Sequence, residues 1–167
     1  MKRCLLLACL LAVGCVRPTT EGEEFRDTVA TQAGKDPRAA ERVRDLFAAM
    51  HRGTYKEMEF PVLGWEHVPA LLERAPSRAM LKSFPVNPLS SMMQDRCPEG
   101  IVALWLIEGI RQGGRYPSLN PVCKGENSKD TQQRAVAAYL RWWQKVRSDP
   151  SAAAKRDPFA GTDLSWY

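Results

Sequence analysis

Cys97-Pro98-Glu99-Gly100-Ile101-Val102-Ala103-Leu104-Trp105-Leu106-Ile107-Glu108-Gly109-Ile110-Arg111 is the most apolar segment of the chain beyond its first fifteen residues. At about 100° per residue its apolar side chains point in every direction around a helix axis, as in a central helix covered on all sides. A strand is the alternative, because Ile and Val are frequent here. Pro98 at the first helical position, Glu99 in the first turn, Arg111 in the last turn and Gly113-Gly114 as a stop favour the helix. One buried helix needs others to cover it, so the expectation is a compact all-α domain.

The flanking sequence supplies those helices. Asp36-Pro37 reads as an N-cap followed by Pro at the first helical position; Ala39, Val43, Leu46, Phe47 and Met50 follow at helical spacing, and Gly53 ends the run. Trp65, Val68, Leu71, Leu72 and Ala75 form a second stripe, predicted to begin near Glu66 and to stop before Pro76. These two helices resemble a single HEAT-type repeat over about forty residues, although no second copy recurs at a fixed period. Residues 76–97, with Pro76, Pro85 and Pro88, read as a folded connector, and residues 115–127 as a loop. A long helix is predicted from about Ser128 to Arg147, burying Val136, Tyr139, Leu140, Trp143 and Val146, with Asp149-Pro150 as its end. The tail, Leu164-Ser165-Trp166-Tyr167, is too aromatic to lie in water and is expected to pack back.

The N-terminus carries an address. Met1-Lys2-Arg3 is a basic start, Cys4 to Val13 an apolar run, and Ala12-Val13-Gly14-Cys15 resembles the lipobox of bacterial lipoproteins, in which the cysteine is acylated and becomes the mature N-terminus. Ala12 departs from the Leu usual at the first lipobox position. Arg17-Pro18-Thr19-Thr20-Glu21 turns polar too early for a membrane-spanning helix, which needs about 20 apolar residues. The domain plan is therefore a signal peptide over 1–14, a lipidated Cys15 and tether over 15–35, and one helical domain over 36–167. An ordinary secretory signal is the plainer alternative. The address implies the bacterial cell envelope, with the outer membrane as the anchoring surface and the domain facing periplasm or exterior.

Composition narrows the chemistry. The chain has 167 residues, 44% apolar and 26% charged, which suits one globular domain. Removing residues 1–14 takes the basic count from 24 to 22 against 19 acids, a net charge of +3, and no block of Lys and Arg tracks phosphates. Nucleic acid is not expected as a partner. With His51 and His67 the only histidines, a His-rich metal cage is excluded, and neither metal nor cofactor is expected. No phosphate-cradling Gly loop, nucleophile elbow or Cys-x-x-Cys is present.

Four features are candidates for a site. Glu108 lies on the wheel between Leu104, Ile101 and Trp105, so its carboxylate is placed at or near the core. There it acts either as one half of an ion pair with Arg111 or Arg115, or as a general acid. Cys97 and Cys123 bracket the central helix and are expected to form a disulfide, closing a loop of about 27 residues and adding roughly 3.5 kcal/mol. A reactive thiol beside His51 or His67 has no local motif. Trp142 and Trp143 point about 100° apart, which assigns Trp143 to the core and Trp142 to its rim, as a candidate for partner contact. His51 reads as a favourable charge at a helix C-terminus.

Phe84-Pro85-Val86-Asn87-Pro88-Leu89-Ser90-Ser91, then Ala103 to Arg111 with Tyr116-Pro117-Ser118-Leu119-Asn120-Pro121, resemble a family of uncharacterised small bacterial lipoproteins. Tyr139-Leu140-Arg141-Trp142-Trp143 and Leu164 to Tyr167 belong to the same pattern, so the likeness spans about residues 60–167. It implies a self-contained helical domain and carries over no catalytic residue. The expected function is a membrane-anchored, non-enzymatic binding module with a protein partner in the envelope. Its alternatives are a periplasmic hydrolase using Glu108, or an inhibitor or toxin-immunity lipoprotein.

Overall fold

The computed structural model describes residues 36–91, 95–124 and 127–167; the segments expected to be signal peptide and tether, with Cys15, lie outside them. Helix α1, Pro37–Arg52, begins where the Asp36 carboxylate accepts the backbone N–H groups of Arg38 and Ala39, at 3.0 and 3.2 Å. It ends at Gly53, whose φ of 77° lets its N–H and that of Thr54 close the last turn on Met50 and Ala49. A 3₁₀ turn, Trp65–His67, leads into α2, Val68–Arg74, with Pro69 in its first turn, where its missing N–H costs nothing.

The connector holds one element that the sequence does not announce. Strand β1, Met80–Leu81, pairs antiparallel with β2, Cys97–Pro98, placing Met80 opposite Pro98 and Leu81 opposite Cys97. Two residues per strand are too few to show an alternation, and the partners are far apart in sequence. The pair holds the start of the central helix α3, Glu99–Arg111, beside the end of α2. Every residue of α3 from Glu99 to Ile110 is buried, as its unbroken apolar wheel requires. At Gly100 the end of α2 and a side chain of α4 both lie close against it. A Cβ there would stand 2.0 Å from the Ala75 carbonyl oxygen and 2.3 Å from the Gln132 amide nitrogen.

Helix α4, Lys129–Val146, is capped by the Ser128 hydroxyl, which accepts from the Thr131 N–H at 3.1 Å. A further short helix, α5, Pro150–Lys155, follows directly; Asp149-Pro150 both ends α4 and starts α5, because Asp149 accepts from the N–H groups of Ser151 and Ala152. The tail then packs back: Phe159 and Leu164 are buried, and Tyr167 exchanges backbone hydrogen bonds with Asn120 and Val122. The domain is mostly helical, with α3 at its centre. Among the described residues no helix is long and apolar enough to cross a membrane.

The expected disulfide is corrected here. Cys97 and Cys123 are buried free thiols. The Cys97 thiol donates to the Pro121 carbonyl at 3.5 Å and lies 3.7 Å from the Asn127 amide nitrogen, while Cys123 is held through its backbone opposite Trp166. Asn127 donates through its amide nitrogen to the Pro121 carbonyl and accepts through Oδ1 from the Cys123 backbone N–H, so the loop is held without a covalent bridge. Burial pushes the Cys97 thiol far up, against the smaller pull of Arg78. It takes Cys123 up to about 11, against the charge of Arg134. Both are therefore protonated and poorly nucleophilic near neutral pH. A non-reducing mass should show both hydrogens present. Iodoacetamide at pH 8 should modify Cys97 and Cys123 only after denaturant is added; labelling of the folded chain would contradict this burial.

Candidate functional site

Glu108 sits in the last turn of α3 and is 4% exposed. Its carboxylate accepts four hydrogen bonds: from Arg111 Nε at 2.9 Å, Arg111 Nη2 at 2.5 Å, Gln112 Nε2 at 2.9 Å and the Tyr139 hydroxyl at 2.9 Å. A carboxylate offers about four acceptor positions, so nothing is left over for a substrate. The Tyr139 hydroxyl in turn accepts from Trp166 Nε1 at 2.9 Å, and Arg111 Nη1 reaches the Ala154 carbonyl at 3.0 Å. One network thus ties α3 to α4, α5 and the tail. The hydrogen bond to Glu108 raises Arg111 above its ordinary value despite desolvation, and burial beside Glu108 pushes the Tyr139 hydroxyl well up. Of the two arginines that the sequence offers, Arg111 is the one that pairs with Glu108.

A second buried acid has no counterpart in the sequence reading beyond its place in a first turn. Glu99, at the start of α3, accepts from Arg74 Nη1 at 3.0 Å and from the Ser77 hydroxyl at 2.8 Å, and lies 3.2 Å from His51 Nε2. His51, expected to serve its own helix end, closes a contact across 48 residues instead. Ser77 and His51 both face the carboxylate rather than each other, so this is a structural junction of α1, α2 and α3, without the relay a nucleophilic serine needs. Among the described residues no three His, Cys, Asp or Glu side chains are placed to share a metal ion.

The open feature lies elsewhere. A cleft of about 520 Å³ runs between the last two turns of α4 and the segment that follows α5. Arg141 and Lys145 stand on the α4 side, Lys155 and Arg156 on the other, and Asp157 is the one acid on its lining. Ala138, Trp142 and Val146, spaced four apart on α4, make the apolar part. Among the described residues none of these four cations makes an ion pair, whereas Arg134, two turns earlier on α4, meets both Asp130 and Asp163. The cleft falls within the range of ligand sites.

A family model described as a domain of unknown function (DUF4943) matches residues 39–167. The chain belongs to that family. The match takes in all of α2 to α5, both buried acids and the cleft, and it leaves out residues 1–38, Cys15 among them. No curated protein and no solved structure matches the chain.

Against the candidate residues of the sequence, the structure draws three distinctions. Glu108 and Arg111 come together; Cys97 and Cys123 do not bond. Trp142 is no exposed platform. It is 5% exposed, below the 8% of Trp143, and lies between Tyr139, Trp65 and Trp143 with ring centroids 5.9, 6.2 and 5.9 Å away. Its indole N–H is buried and without an acceptor among the described residues, so ring contacts hold it. What it offers a partner is an edge of the cleft floor. The sequence did not show the four cations as a group because Lys155 ends, and Arg156 follows, a helix that it did not predict.

Proposed function

We propose that this chain is a lipid-anchored envelope protein whose helical domain is a non-enzymatic binding module. Acylation of Cys15 would hold it on the outer membrane, and residues 16–35 would carry the domain clear of the lipid. The observation that carries the reading is the saturated Glu108 carboxylate. A general acid or base needs a lone pair or a proton directed at substrate, and four protein donors already occupy this group. The cationic cleft remains open to a ligand. An inhibitor or immunity lipoprotein is a narrower form of the same activity.

The full chain in mild detergent, immobilised and exposed to an envelope extract, should retain a protein partner in stoichiometric amount. Bait carrying Glu108→Gln, used at a temperature where it is still folded, should retain the same partner equally well. A bait that retains nothing, or one whose capture depends on Glu108 while folded, would count against a binding module.

A further inference from the structure

We infer that the α4–α5 cleft binds an extended acidic peptide segment of a partner protein, with carboxylates on Arg141, Lys145, Lys155 and Arg156 and one apolar side chain on the Trp142–Val146 floor. This deepens the binding-module reading and rests on it. The first support is charge. Four cations and one acid, Asp157, line the cleft, and an excess of like charge favours an anion that spreads over it.

The second support is spacing. Arg141 and Lys145 are one turn apart, about 5–6 Å between Cβ atoms. Alternate side chains of an extended chain repeat at about 6.6 Å, so acids at every second position match that turn. The side chains between them point the opposite way, and one of these can reach the edge of Trp142 that lines the cleft floor.

The third support separates a peptide from a compact phosphate. The cleft lies against the C-terminal turns of α4 and α5. A phosphate site usually takes backbone N–H donors from a helix N-terminus, and this cleft is built at the opposite ends.

The test titrates the full chain with a fluorescent, N-acetylated hexapeptide of alternating Glu and Leu, read by anisotropy. Binding should be saturable, should weaken about tenfold or more at high salt, and should vanish when Gln replaces every Glu of the peptide. The Arg141→Glu/Lys145→Glu chain should bind at least about tenfold more weakly, while Arg141→Lys should bind close to wild type. If the charge reversal unfolds the domain, Arg141→Gln/Lys145→Gln gives the same comparison without new repulsion.

No binding of the peptide, equal binding of its Gln form, or binding insensitive to both double variants overturns the inference. So does a response confined to inorganic phosphate or to phosphatidylglycerol vesicles, each titrated separately. Should the peptide fail while the envelope partner is still captured, and captured equally by the Arg141/Lys145 variants, the module stands and the cleft is not its site.

Discussion

The Glu108→Gln chain should melt roughly 10 °C or more below wild type, at about 3–5 °C per kcal/mol for a domain of this size. Gln keeps the shape of the side chain but removes the charge opposite Arg111, whose guanidinium is only 15% exposed. It also turns one acceptor into a donor, facing the donors of Arg111, Gln112 and Tyr139. Breaking one side of a buried pair typically costs about 3–5 kcal/mol, a large part of the 5–15 kcal/mol that holds an ordinary domain together. Because the same network reaches α5 through Ala154 and the tail through Trp166, the loss should loosen the C-terminal segment as well. A catalytic acid behaves in the opposite way, since active sites hold such groups at a cost in stability. Thermal melting of the purified chains settles the matter, and a variant as stable as wild type would return Glu108 to the candidates for catalysis.

The second large effect concerns location. Expressed with its leader, the Cys15→Ser chain should pass from the membrane pellet to the soluble fraction and should lose label when cells are fed a tagged fatty acid. Each buried CH₂ of an acyl chain contributes roughly 0.8 kcal/mol to anchoring, so two or more chains on one residue give stable attachment, and their removal should be close to all-or-none. Among the described residues no helix is long and apolar enough to cross a membrane. A variant that remains membrane-bound and acylated would overturn the anchor.

How far the residues foretell this architecture varies with the range of the forces involved. Helix α1 is legible at both ends because Asp36, Pro37 and Gly53 act on their own immediate backbone. The central position of α3 is legible because a wheel with apolar side chains all round has no stable home except inside. The Glu108–Arg111 pair is legible as neighbours one turn apart. Gln112 follows from the same turn, but Tyr139 and Trp166 enter from α4 and the tail, which no local rule brings there.

The same division runs through the rest of the chain. Helix type, helix ends and the need for a covered central helix follow from spacing, capping and composition, which depend on residues within a few positions of one another. The pairing of Met80–Leu81 with Cys97–Pro98, the choice of hydrogen bonds over a disulfide at Cys97, and the burial of Glu99 against His51, Arg74 and Ser77 depend on contacts across tens of residues. Trp142 and Trp143 show the limit most directly. The wheel separates them by a fixed angle, but the burial of both, with Trp142 against Trp65, was settled by how α4 lies against the segment that carries Trp65. The cationic cleft belongs wholly to this second kind, because Lys155 and Arg156 meet Arg141 and Lys145 only when α5 and the tail fold back across α4.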